Sequence, residues 1–417
     1  MKVEQAYLGT LLKENYLIND SGLKASQFEQ AWHIALFASM KKLVAKGNSV
    51  DLATLSIESD LENFGGASYI NDLISLANPQ KVEEYEQLVL DAWKEREKKN
   101  ILAIAKEEDW EIARVISALD AINEVREDDR TSIADALVRV FEAPWKQTAQ
   151  QKGILTGIKQ LDDMTNGFQN GELTIVAARP SMGKSDVMLH FAKQAGWTGH
   201  LPIIFSLEMQ EENLTDRLVA STGGFNRMKM RNPFKDLTPL QKEKWSHIIG
   251  RVNETNIEIF DDPGQTVAEM RAKTRKMMHQ HPGKKPIIII DYLTLIRPLH
   301  HHNGNANAQV TEISRDLKGM AKEFNCPVIA LSQLSRNVEQ RQDKRPFLSD
   351  IRDSGSVEQD ADVVMFLYRE KYYDKGSDNK MLEIIVAKQR NGPVGTVNTV
   401  YNEFTGEILD AYHTRAV

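Results

Sequence analysis

The sequence has one cysteine, Cys326, so no intramolecular disulfide can brace it, and a reducing compartment is the expected setting. It has no apolar run near the ~20 residues that a membrane-spanning helix needs. Its opening stretch, MKVEQAYLGTLLKENYLIND, puts acids and amides where a secretory signal is apolar. The expectation is a cytoplasmic protein with no membrane role. Positive charge is not in excess either: 52 Lys and Arg stand against 59 Asp and Glu, a formal net charge of −7. That excludes a surface coated in basic residues but leaves room for a local basic channel. Internal repeats are absent, and low complexity is confined to HHHNGNANA.

A chain of 417 residues, 41% hydrophobic and 27% charged, exceeds what one core usually supports, so at least two domains are expected. Residues 1–127 read as all-helical. FEQAWHIALFASMKKLVAKG carries apolar residues at helical spacing and stops on Gly47, NFGGASYINDLISLANP sets a Gly-Gly turn before a helix closed by Pro79, and EEYEQLVLDAWKEREKKNILAIA reads as one long helix. Residues 128–152 form a linker with one amphipathic helix, its stripe being Ile133, Leu137, Val140 and Phe141 before the break at Pro144. That stripe packs either on its own chain or on a neighbouring subunit.

From 153 to 417 the texture changes to short apolar runs between helical or glycine-rich stretches: LTIVAA, PIIFSLE, PIIIIDYL, VIALSQL, VVMFLYR and LEIIVAKQR. Runs of this kind fit strands buried on both faces, as in a parallel sheet covered by helices, with the site at the carboxyl ends of the strands.

One further absence frames the chemistry. LTIVAARPSMGKSDVMLHFA nearly spells the phosphate-binding pattern G-x-x-x-x-G-K-[ST], but Ala178 stands where the first glycine belongs. The context is intact nonetheless, an apolar strand, a tight loop and then a helix beginning near Gly183, Lys184 and Ser185. Gly183 permits close approach to phosphate, and the new helix offers unpaired N–H groups. ATP is the expected ligand, contacting Ala178, Arg179, Pro180, Ser181, Met182, Gly183, Lys184, Ser185 and Asp186. Lys184 would hold the β- and γ-phosphates and Ser185 would donate its oxygen to Mg²⁺. Ala178 costs little provided its φ is negative.

Further strand tips supply the remaining parts. Asp291, after four isoleucines, is placed as the acid that bonds the metal's water shell; an ordinary strand-end turn is the alternative. Glu208, after PIIFSL, can orient and deprotonate an attacking water, or simply favour a helix N-terminus. Gln333 can bond both the γ-phosphate and that water. Lys388 and Arg390 share one side of a strand tip and can neutralise transition-state charge, or can be ordinary surface cations. His300, His301 and His302 are consecutive, diverge in an extended segment, and are not expected to bind a metal.

In this order the motifs resemble the DnaB family of replicative DNA helicases, RecA-like hexameric motors. The likeness runs from EQAYLGTLL and GGASYINDLISLAN through TGIKQLDDMTNGFQNGELTIVAARPSMGKS, FSLEM, IIIIDYL, EISRDLKGMAKEFNCPVIALSQLSR and SDIRDSGSVEQDADVVMFLYR to VAKQRNGPVG. ARPS-x-GK-[ST] is a familiar loop form in that family, so Ala178 reads as a family variant. The resemblance implies an α/β RecA-like motor domain, a mostly parallel sheet flanked by helices, preceded by an all-α N-terminal domain. It implies a homohexamer around single-stranded DNA, moving 5′ to 3′, with ATP at each interface and Lys388 and Arg390 reaching it from the neighbour. The family's DNA loop matches IRDSGS, so Arg352, Asp353 and Gly355 are expected to touch the phosphodiester backbone; a local Arg352–Asp353 ion pair is the competing possibility. LHHHNGNANAQV is a second candidate DNA loop. SRNVEQRQDKRP, with Arg336, Arg341, Lys344 and Arg345, would lie near the nucleotide and the ring interface. The helical N-terminal domain would form a collar that meets primase, a loader would place the ring on DNA, and the linker helix would clip onto the adjacent subunit.

Two other functions share parts of this pattern. A RecA-like ATPase of repair or recombination usually carries a non-helical N-terminus, which is absent here. A non-enzymatic loader or assembly factor binding ATP as a structural ligand does not need Glu208, Gln333 and the Lys388/Arg390 pair together.

Overall fold

Apolar residues three and four apart shape the first part of the chain in the computed structural model. It describes residues 2–110 and 153–411, apart from 301, 303, 304, 352–354, 375 and 378, and a few positions between 114 and 141. The chain divides into two compact units, Met1–Ala149 and Gln150–Val417.

In the first unit the longer helices are Lys2–Lys13, Ala31–Ala45, Gly66–Ser75 and Val82–Glu107. Among the described residues it contains no strand. Tyr7, Leu8, Leu11, Leu36, Phe37, Met40, Ile70 and Leu73 fill its core. Gly9 lets the first and third of these helices touch: a Cβ there would stand 1.8 Å from the Leu73 carbonyl oxygen. One polar chain crosses the core, with His33 Nδ1 2.6 Å from Glu4 Oε2 and His33 Nε2 2.8 Å from Tyr69 Oη. Of the linker stripe, Ile133, Leu137 and Phe141 are helical and exposed, while Val140 lies outside the described residues.

The second unit is a nine-stranded sheet covered by helices, in the order β3-β2-β4-β5-β1-β6-β7-β8-β9. The strands are β1 (Leu173–Ala178), β2 (Leu201–Ser206), β3 (Glu258–Phe260), β4 (Pro286–Asp291), β5 (Val328–Gln333), β6 (Val363–Tyr368), β7 (Met381–Gln389), β8 (Gly395–Asn402) and β9 (Glu407–Asp410). All six apolar runs singled out in the sequence are strands. From β3 to β6 every neighbour is parallel, and alternate residues feed two cores. In β4, Ile287 and Ile289 pack with the helix Lys184–Trp197, whereas Ile288 and Ile290 pack with the helices Val267–Gln280 and Ala306–Glu323. Ile313, Leu317, Met320 and Ala321 are buried along the last of these, as their spacing requires, with Phe324 half-buried at its end.

The parallel reading needs correction at one edge. LEIIVAKQR forms β7, which pairs antiparallel with β6 and is only alternately buried. β8 and β9 extend this antiparallel edge. In both, burial alternates along the strand, with Val397, Thr399 and Tyr401 buried in β8 and Ile408 and Asp410 in β9, so no continuous apolar run marks them.

Candidate nucleotide site

β1 lies between β5 and β6 in the sheet, and the loop leaving its carboxyl end turns directly into the helix Lys184–Trp197. Ala178 is the last residue of β1 and is not among the positive-φ residues, so its methyl group is accommodated. The left-handed positions fall instead at Ser181, with φ 66°, and Gly183, with φ 97°. Glycine is required at 183 for a second reason: a Cβ would meet the Tyr401 ring at 3.2 Å. The first N–H groups of the helix have no intrahelical partner and carry the positive end of its dipole, a ready anion site.

The loop opens on a cleft of about 610 Å³. On it lie Ala178, Arg179, Pro180, Ser181, Gly183, Lys184, Ser185 and Asp186, together with Glu208 and Gln333 from the ends of β2 and β5. Lys184 Nζ is 3.3 Å from Asp291 Oδ1, and Ser185 Oγ donates to Asp291 Oδ2 at 3.2 Å. Asp291 ends β4 and is fully buried. Lys184 Nζ and Asp291 Oδ1 are both buried without completing a hydrogen bond. A buried ammonium and a buried carboxylate oxygen with spare capacity, next to a hydroxyl and a helix N-terminus, are the donor set that a nucleoside triphosphate and Mg²⁺ require.

The neighbours of this set hold it in place. Past β2, Ser206 Oγ donates to the Met209 carbonyl at 2.5 Å, forming the tight turn that leaves Glu208 exposed at the cleft. Arg179 bonds Glu339 at 2.8 Å and the Leu334 carbonyl at 2.9 Å, tying the phosphate loop to the segment after β5. Met182 is buried in the core under the loop and anchors it. Asp186 borders the cleft, but its carboxylate accepts from Tyr401 Oη at 2.5 Å and from Arg227 at 3.0 Å. Burial and the Asp186 charge push the Tyr401 phenol up to about 12.

Lys388 and Arg390 do not border this cleft. Lys388 Nζ donates to the Ala361 carbonyl at 2.8 Å and to that of Glu358, and Arg390 donates to the Gln359 carbonyl at 2.7 Å. Both therefore sit at the C-terminal end of the helix Gly355–Asp360, where free carbonyls attract cations. Burial, then repulsion from Arg390, holds the Lys388 ammonium below its usual range. Gly355 opens that same helix, while Arg352 and Asp353 lie outside the described residues.

The remaining basic and histidine segments pair internally. Arg341 bonds Asp350 at 2.5 Å, and Arg345 grips Glu383 through two bonds of 2.8 and 2.7 Å. His300 and His302 both meet Glu312.

Sequence reasoning missed one wall of the cleft, made by Arg217, Arg227, Arg369, Tyr401, Glu403 and Phe404. Arg369 is 7% exposed and bonds both the Ser181 carbonyl, at 3.4 Å, and Glu403, at 2.8 Å. The available signal was period-two alternation of Val397, Thr399 and Tyr401 before the turn NEFTGE.

Residues 153–408 match the DnaB-like helicase C terminal domain, and residues 1–91 match the DnaB-like helicase N terminal domain. The chain is 39% identical to the replicative DNA helicase DnaB of Geobacillus stearothermophilus and 40% identical to the replicative DNA helicase DnaC of Bacillus subtilis (strain 168). Each of these alignments covers 97% of this chain and 94% of the relative. A DnaB-like replicative helicase whose structure was solved for its interactions with primase superimposes with a TM-score of 0.65 at 37% identity, over 98% of this chain and 99% of the other. Among the described residues no helix is long and apolar enough to cross a membrane. With matches to both of its domains and relatives aligned along nearly its whole length, the chain belongs to the DnaB-like helicase family of ATP-hydrolysing replicative DNA helicases.

Proposed function

We propose that this chain hydrolyses ATP in the cleft at Lys184 and uses the energy to move 5′ to 3′ along single-stranded DNA, as a ring of six copies that separates the duplex at a replication fork. The observation that carries the proposal is the meeting of Lys184, Ser185 and Asp291 at the start of one helix, with Glu208 and Gln333 on the same cleft. Lys184 binds the β- and γ-phosphates. Ser185 and Asp291 would hold Mg²⁺, which when bound neutralises charge developing on the phosphates. Glu208 accepts the proton of the attacking water, and Gln333 bonds that water and senses the γ-phosphate.

Lys388 and Arg390, which do not border the cleft of their own chain, reach the γ-phosphate held by the next copy in the ring and neutralise charge there. Arg352, Asp353 and Gly355 touch the DNA backbone, a contact without base information that suits a motor passing any sequence. Residues 1–127 form the collar that meets primase. Residues 128–152 carry the helix that clips onto the adjacent motor, residues 153–417 form that motor, and a loader places the ring on DNA. The buried single cysteine supports a cytoplasmic setting.

Forked-duplex unwinding by purified protein with Mg-ATP tests the reading. Unwinding by the unsubstituted chain and none by Lys184→Ala is the expected result; equal unwinding by the two would refute it.

A further inference from the structure

The turn between β8 and β9 carries a large aromatic side chain that the chemistry described above does not use. Phe404 is 62% exposed, yet its backbone is fixed at both ends. Its N–H donates to Asn402 Oδ1 at 3.0 Å, and its carbonyl accepts from the Arg227 N–H at 2.9 Å. Gly406 closes the turn at φ 79°, and a Cβ there would stand 3.0 Å from Asp186 Oδ1, so the tip is seated tightly against the start of the phosphate helix. Glu403 links the same turn to Arg369, which bonds the Ser181 carbonyl in the phosphate loop. Hydrogen bonds from Arg369 and Lys371 hold the Glu403 carboxyl below its usual range, so the link is ionic. Turn and phosphate loop are thus one connected unit.

Phe404 borders both the cleft that holds Lys184 and an adjoining cavity of about 260 Å³. A ligand anchored by its phosphates at Lys184 has its nucleoside end left to place. A flat aromatic ring on a rigid turn is what a nucleobase stacks on. Resting on the reading of the cleft as a nucleotide site, we propose that Phe404 is the base-stacking residue of that site and sets its preference for purine over pyrimidine triphosphates. Stacking gains with overlap, so the larger purine gains more from the ring.

The test compares full-length Phe404→Ala and Phe404→Trp with the unsubstituted chain, with Mg²⁺ in excess. It reads the KM for ATP and for CTP hydrolysis, and inhibition by inorganic tripolyphosphate, which has no base. For Phe404→Ala the KM for ATP rises on the order of tenfold, that for CTP rises less, and kcat changes far less than KM. Inhibition by tripolyphosphate is unaltered, and Phe404→Trp restores the KM for ATP. An unmoved KM for ATP overturns the proposal. So does a parallel weakening of tripolyphosphate, or a loss of subunit association that accounts for the rise. If tripolyphosphate fails to inhibit even the unsubstituted chain, the phosphate cradle at Lys184 is itself wrong, and the stacking role falls with it.

Discussion

Lys184 Nζ lies 3.3 Å from Asp291 Oδ1, an ammonium and a carboxylate facing each other in a buried setting at the mouth of a helix. Removing one partner strands the other charge, whereas removing both does not. Lys184→Met should therefore destabilise the nucleotide-free motor unit by a few kcal/mol, with about 3–5 kcal/mol as the ceiling. Adding Asp291→Asn should recover much of the loss. Urea unfolding of the three proteins measures this, and a double variant less stable than Lys184→Met alone would contradict it. Neither variant should hydrolyse ATP at more than about a hundredth of the normal rate.

Glu208 stands at the cleft on a turn fixed by Ser206, without contributing to the phosphate cradle itself. Glu208→Gln keeps the shape and loses the base. Radiolabelled ATP should stay bound to this variant while single-turnover hydrolysis slows by roughly 10²- to 10⁴-fold. Normal turnover would move the base to another residue.

Lys388 bonds the carbonyls that end the helix Gly355–Asp360, and the candidate DNA loop leads into the other end of that helix. Lys388→Met should weaken single-stranded DNA binding by loosening this support, with the salt dependence unchanged because no phosphate contact is lost. Arg352→Ala should instead lower the slope of log K against log salt by about 0.7. Fluorescence anisotropy over a salt series separates the two, and identical slopes for the variants would refute the assignment.

His190, on the buried side of the phosphate helix, is driven down to about 3 by burial and then by the Lys193 charge, against a smaller opposing hydrogen bond at the Thr156 backbone. Its folded-state value lies below the ordinary 6.5, so between these limits the unfolded chain binds a proton that the folded chain refuses. The folded state is thus fully favoured by this group above pH 6.5 and loses stability as pH falls, by at most about 1.4 kcal/mol per unit. His190→Leu should flatten the decline of the motor unit's denaturation midpoint between pH 6.5 and 5. An unchanged decline would show that other groups govern it.

The sequence exposed the parts of the fold that are buried on both faces. β1, β2, β4, β5 and β6 sit inside the sheet, so their residues are mostly apolar, and Lys184, Glu208, Asp291 and Gln333 lie at or beyond the ends where the relevant runs give out into polar residues. The antiparallel edge was harder to read because β8 covers only one face, and its alternation of Val397, Thr399 and Tyr401 resembles loop sequence when continuous runs are sought. The wall of the cleft that this edge supplies went unseen with it. Asp186 shows a second limit: its place beside Ser185 suggests a phosphate contact, but only the fold brings Tyr401, 215 residues away, to bond its carboxylate. Ser181 was likewise illegible as a left-handed residue, because a serine with positive φ leaves no mark in composition.

The central claim is that each cleft is half a site, completed by Lys388 and Arg390 of another copy. Mixing Arg390→Ala with Lys184→Ala protein tests it most directly, because a mixed ring contains interfaces in which the good half of one subunit meets the good half of the other. The account predicts DNA-stimulated ATPase activity in the mixture that neither variant has alone, rising and falling with the mixing ratio. A mixture as inactive as its components, or an Arg390→Ala protein as active as the unsubstituted chain, would contradict it.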